Sequence, residues 1–212
     1  MIKIFKYSFL GAVLLLHSFW GDALADKLAH LRSAKKIVAV HEISSPYFAI
    51  QILALKRPPQ NPSFFKNIDK ANEYVCADGY VRYTVGGFDS KEEARQNIPM
   101  VKSMGYTECF VVDVRDYNLK RGTSTKVSSE YKVDENTDYT VQIAAFRYPV
   151  YTSEFEEFDD VMEFYPDDRI YRYTVGRYSG EEAERALERI KSMGYPQAHL
   201  VPLEKYKPYR IE

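Results

Sequence analysis

The pentapeptide Lys-Ser-Met-Gly-Tyr occurs at residues 102–106 and again at 191–195. Extending the match outward doubles a much longer unit. "RYTVGGFDSKEEA" (82–94) aligns with "RYTVGRYSGEEA" (172–183), and "FAIQILAL" (48–55) aligns with "YTVQIAAF" (139–146). The offset falls from 91 to 90 to 89 residues along the repeat. Each change lies in an expected loop, where length changes are tolerated. Whatever the first copy folds into, the second must fold into as well. The copies span residues 47–116 and 138–206, with a polar stretch at 117–137 that reads as a linker.

Within each copy the hydrophobic period switches in order. Ile50, Ile52 and Ala54 alternate with Ala49, Gln51 and Leu53, and Val141, Ile143 and Ala145 alternate likewise, which is strand periodicity. A helix is expected next. Ser153 and Glu156 form a capping box ahead of Phe155, Phe158, Val161 and Met162, and Phe65, Ile68 and Ala71 match them in the first copy. A hairpin then turns at Asp78-Gly79 or at Pro166-Asp167-Asp168. A second helix carries Ala183, Ala186, Leu187, Ile190 and Met193 on one stripe after a Ser179/Glu182 box. Gly105 and Gly194 stand where a helix C-terminus needs a left-handed residue, and Met104 and Met193 complete the stripe. Pro99 falls inside the first copy's second helix, off that stripe. "CFVVDV" and "HLVPL" supply the last strands. The expected fold is α+β: two tandem βαββαβ (ferredoxin/RNP-like) modules, each a four-stranded antiparallel sheet backed by two helices.

The first 25 residues carry an export pattern. Lys3 and Lys6 precede the apolar run 9–16, and Ala23-Leu24-Ala25 gives a small-x-small cleavage site. The apolar run is shorter than the roughly 20 residues that a membrane span needs. Without Lys3, Lys6 and Asp22, 27 basic residues face 29 acidic ones. That near-neutral balance lacks the basic stripe of a nucleic-acid binder. The compartment permits a disulfide. The expected strand order, 4-1-3-2, nonetheless puts Cys76 and Cys109 on opposite edges of their sheet, too far apart to pair. Two cysteines and His30, His41 and His199 show no metal spacing and no nucleophile–base set. The chain is therefore expected to be neither an enzyme nor a cofactor protein, with each histidine an ordinary strand or surface residue.

With helices on one sheet face, parity assigns the other. Val81, Tyr83 and Val85 point to the helices, as do Tyr171, Tyr173 and Val175. Tyr80, Arg82 and Thr84 are left open, with Ile170, Arg172 and Thr174 as counterparts. Gln51 and Gln142 lie on the same side of the neighbouring first strands. Such a face is either a solvated sheet surface or a binding surface of paired donors and acceptors.

"YTVQIAAF" followed by "YRYTVGRYSGEEAERALERIKSMGY" resembles the SPOR (sporulation-related) domain, and the first copy resembles it more weakly. The resemblance covers both repeats. It implies a βαββαβ fold and, as function, non-catalytic binding of peptidoglycan glycan strands stripped of stem peptides, in a periplasmic or envelope protein, often of cell division. It maps glycan contacts onto Gln51 and Gln142, Arg82 and Arg172, and Tyr80, where the second copy has Ile170. Leu53 and Ala144 stand where the family usually has glycine, and a leucine there is expected to narrow the groove. An envelope protein–protein scaffold that has lost glycan binding is the alternative.

Overall fold

The computed structural model describes residues 28–120 and 133–211. The proposed export segment and most of the linker lie outside them. Nine strands form one mixed sheet: β1 (Lys36–Val40), β2 (Phe48–Leu55), β3 (Lys70–Val75), β4 (Val81–Phe88), β5 (Phe110–Asp113), β6 (Asp138–Phe146), β7 (Val161–Phe164), β8 (Tyr171–Ser179) and β9 (His199–Pro202). The helices are α1 (Lys91–Ser103), α2 (Gly180–Ser192) and the single turn α3 (Leu203–Tyr206).

Strand order is β5-β2-β4-β3-β1-β6-β8-β7, with β9 also paired to β6. Each repeat therefore places its strands in the order fourth, first, third, second. The expectation of two separate four-stranded sheets, each backed by two helices, is overturned. The repeats are fused through β1, which lies ahead of the first repeat's expected boundary. β1 runs parallel to β3, pairing Lys36 to Val40 with Lys70 to Tyr74, and meets β6 antiparallel at Val38 and Phe146. Its run Ile37-Val38-Ala39-Val40 is strand-like, and Ile37 is fully buried.

The expected first helix of each repeat is absent, and in the first repeat the sequence shows a local reason. Pro58, Pro59 and Pro62 remove backbone donors between β2 and β3. Only a 3₁₀ turn forms there, Pro62–Phe64, capped by Asn61, whose side chain accepts from Ser63 N at 2.8 Å. The second repeat has the matching turn Thr152–Glu154, and the Ser153/Glu156 box does not form. Ala71, Val161 and Met162 belong to strands instead. The turns still deliver one anchor each. Phe65 packs on Tyr83 with ring centroids 4.9 Å apart, and Phe155 packs on Tyr173 at 5.1 Å.

The remaining helices follow the sequence closely. Ser90 caps α1 by accepting from Glu93 N, and the Glu93 side chain accepts from Asp89 N, one residue ahead of the cap. Ser179 flanks α2 without such a bond. α1 continues through Pro99, and Gly105 and Gly194 both end their helices at φ +104°. Met193 is 43% exposed, so it does not complete a buried stripe; Ala183, Ala186 and Ile190 do the burying. Cys76 and Cys109 are buried free thiols just beyond β3 and just before β5, at opposite ends of the first repeat's strand order.

Two buried carboxylates join the parts. Glu73 on β3 accepts from Tyr83 Oη at 2.9 Å and from Arg147 Nε at 3.0 Å, and Arg147 Nη2 forms the second arm of the ion pair. Glu163 on β7 repeats the pattern, accepting from Tyr173 Oη at 2.6 Å and from Arg32 Nη2 at 2.9 Å. Both glutamate side chains are 0% exposed. Removing one partner of a buried pair strands the other charge and costs about 3–5 kcal/mol. Arg147→Ala is expected to lower unfolding free energy by about that amount in urea titrations. The Glu73→Leu/Arg147→Met double variant should lose less, because no buried charge is left alone.

Candidate functional site

On the face away from α1, β2 and β4 bring the expected residues together. Gln51 pairs with Thr84, and Ala54 pairs with Arg82. The register slips between these pairs, so Ile52 is an extra residue in a bulge and the alternation inverts after it. Leu53 consequently opposes Tyr83 and packs into the core with Ile50 and Ile52. It does not narrow the groove, as its sequence position implied; Ala54 lies beside Arg82 instead. The second repeat repeats the bulge, pairing Gln142 with Thr174, Ala144 with Tyr173 and Ala145 with Arg172.

Each site has two members that sequence reading passed over. Tyr117, placed in the linker, donates its hydroxyl to Gln51 Oε1 at 2.6 Å, and Tyr206 does the same to Gln142 Oε1 at 2.6 Å. Arg82 lies 5.5 Å from the Tyr117 ring centroid, and Arg172 lies 5.8 Å from that of Tyr206. The hairpin turns add an acid. Asp78 takes a bidentate grip on Arg82, with bonds of 3.0 and 2.6 Å, and Asp168 grips Arg172 in the same way. The 89-residue offset of the pentapeptide, carried past β5, would have aligned Tyr117 with Tyr206. Both units thus contain Gln, Tyr, Arg and Asp in one arrangement.

Hydrogen bonding from Arg82 holds the Asp78 carboxyl down at about 2, and Asp78 in turn raises the guanidinium's value. Burial is the largest influence on both charges of the second pair and works against them, but the Arg172–Asp168 hydrogen bonds together with the attraction between the charges and neighbouring contacts outweigh it. Thr84 and Thr174 are fully buried and present nothing to solvent. Thr174 accepts from Thr140 at 2.7 Å, whereas the residue matching Thr140 is Ala49, which offers Thr84 no such hydroxyl.

The two faces differ in what covers them. In the second repeat Ala39 of β1 packs on Ala145 and Ile170, and all three are buried. The Arg172 side chain is 5% exposed there, against 23% for Arg82. In the first repeat the counterpart residues Ala54 and Tyr80 reach solvent. A groove of about 720 Å³ opens among them, lined by Gln51, Ala54, Tyr80, Arg82, Phe110 and Tyr117. Its floor is apolar and its wall is charged: Lys56 Nζ lies 3.8 Å over the Tyr80 ring, and Arg82 lies 5.7 Å from it. Of the eight residues expected to bind, Tyr80 and Arg82 are presented. Gln51 is buried beneath Tyr117, and Gln142, Ile170, Arg172, Thr84 and Thr174 are enclosed.

Among the described residues, no group of three His, Cys, Asp or Glu side chains is placed to hold a metal. No helix there is long and apolar enough to cross a membrane. Compared with family models, curated proteins and solved structures, the chain shows no match.

His199 opens β9 and His41 lies at the surface just past β1, a strand and a surface position as expected. Both titrate below the usual value, through burial foremost and through the nearby Arg172 charge; Asp168 and Glu73 oppose this at His41, and the Gln197 carbonyl and Glu42 oppose it at His199. The unfolded chain therefore binds more protons than the folded one below about pH 6.5, and stability falls as pH drops through that value toward the lowered folded one. Solvent reaches His41, so screening leaves His199 the larger contributor. Urea midpoints should fall between pH 7.5 and 5.5. His199→Gln should flatten that dependence.

Proposed function

We propose that the chain is a non-catalytic envelope protein that binds peptidoglycan glycan strands through the open groove of its first repeat. The observation that carries this reading is the grouping of Arg82, Tyr80 and Tyr117 around a solvent-open groove with an apolar floor. The resemblance of the Gln and Arg positions to the SPOR domain points to the same ligand. Tyr80 supplies an aromatic face for a pyranose ring. Asp78 engages two of the five guanidinium N–H donors of Arg82, leaving others for a lactyl carboxylate or a sugar hydroxyl. Arg can meet a planar carboxylate with paired donors, which Lys cannot. The export pattern read in residues 1–25 supports the same reading.

This reading assigns one glycan site to the chain. Arg172 cannot reach a strand lying on the surface while β1 and Tyr206 enclose it. The buried second site is also the feature that favours the alternative, an envelope scaffold in which these arginines hold the fold. Pull-down on amidase-treated sacculi separates the two. Arg82→Ala should weaken binding roughly tenfold, the equivalent of one charged hydrogen bond at an exposed site. Arg172→Ala should lower the thermal midpoint, and its folded fraction should bind as wild type does. If folded Arg82→Ala binds treated sacculi as well as wild type, glycan binding by this groove is wrong.

A further inference from the structure

The repeat provides its own template for what the first unit is built to accept. In the second unit one edge of β6 carries two strands in succession. β9 pairs with Tyr139 to Gln142, and β1 follows at Phe146. Arg147 N continues the contact by donating to the Ile37 carbonyl at 2.8 Å. In the first unit β5 pairs with the corresponding part of β2, Phe48 to Gln51. Beyond it no strand follows. Among the described residues, none pairs with β2 on that side at Leu53, Ala54 or Leu55, and Lys56 N, the counterpart of Arg147 N, donates to no backbone carbonyl.

The side chains agree with the backbone. Ala145 and Ile170 are buried under Ala39, whereas Ala54 is exposed and Tyr80 is half-exposed. Pro58 and Pro59 end the edge just beyond Arg57, so the uncovered stretch is about as long as the β1–β6 contact. We propose that residues 53–57 form a docking edge for an extended segment of another polypeptide, which adds antiparallel to β2 as β1 adds to β6.

The template also specifies the segment. A small residue must stand at the Ala39 position, because it lies against Ala54 and Tyr80. In the second unit the Lys36 side chain is paired with Glu154. In the first, the counterpart of Glu154 is the neutral Ser63, and Arg57 stands where the second has Tyr148, so continuing the register brings the Lys36 position beside Arg57 with no acid to meet it. Like charges opposite one another on paired strands repel, so the docking segment carries an acid there. The partner is thus an extended peptide with an acidic residue, then an apolar stretch holding a small residue. The docked segment would cover Ala54 and Tyr80, which also line the groove, so it would compete with glycan there. The two are told apart because docking is read at backbone amides of β2 and glycan binding at Arg82 on sacculi.

The test uses the full chain, ¹⁵N-labelled, titrated with a synthetic peptide of residues 34–42 carrying Lys35→Glu and Lys36→Glu. Amide shifts are expected to centre on Leu53 to Arg57, and hydrogen exchange at Lys56 N should slow when the peptide is present. The unsubstituted peptide should bind more weakly, and a scrambled one should not bind. Ala54→Arg, at an exposed position, should weaken binding tenfold or more. Unmoved amides at 53–57, shifts centred on another edge, or equal binding by the scrambled peptide would overturn the proposal. Protection of Lys56 N without peptide, together with a dimer in sedimentation, would show a second copy in that place and overturn the assigned partner.

Discussion

A carboxylate that cannot reach water must be given a cation, and Glu73 and Glu163 impose that demand on the whole chain. Each sits on the second strand of its repeat, fully enclosed, with a tyrosine hydroxyl from the third strand. Neither repeat supplies its own arginine. Arg147 comes from the second repeat to serve the first, and Arg32 comes from ahead of the first to serve the second. A unit cut at 47–116 would bury Glu73 without a counter-ion, at a cost of several kcal/mol. The repeats are similar in sequence yet not separable in physics. β1 meets the same requirement at the backbone, occupying the edge of β3 and touching β6.

That dependence explains which parts of the fold were legible. Period-two alternation located β2, β4, β6 and β8 because apolar and polar residues alternate along them in sequence, although β6 and β8 are buried on both faces. The stripe of Ala183, Ala186 and Ile190 located α2 by its helical period. Spacing failed where apolar residues are few and the backbone decides. Phe65 and Ile68 fit a helical period, but the prolines around them leave only a 3₁₀ turn. β1 offered a plain signal in Lys36 to Val40, obscured by its position outside the repeat. A repeat analysis has no place for an element that occurs once.

At the site, parity held up to Gln51 and broke beyond it. One bulge moved Leu53 to the core side and Ala54 to the groove, and no single-sequence pattern marks where such an extra residue falls. Tyr117 and Tyr206 were missed because they act on Gln51 and Gln142 from 66 and 64 residues away. Asp78 and Asp168 read as turn formers, which they are, and they also hold the arginines four residues on. Gly176 shows how tightly the shared framework is drawn. It sits at φ +66°, and a Cβ there would run into the Tyr178 ring.

The two Gln-Tyr-Arg-Asp constellations are chemically alike and differ in their surroundings, so their roles follow from dielectric and access rather than from residue identity. Around Arg172, water is displaced by Ala39, Ile170 and Tyr206, and the ion pair works inside the protein as a clamp between the hairpin and the sheet. Around Arg82 the same pair meets solvent, where its net contribution to folding is small. Arg82 and Tyr80 lie on that exposed face beside an unpaired stretch of β2. The second repeat has filled both the groove and the edge with its own chain, and among the described residues the first has both open.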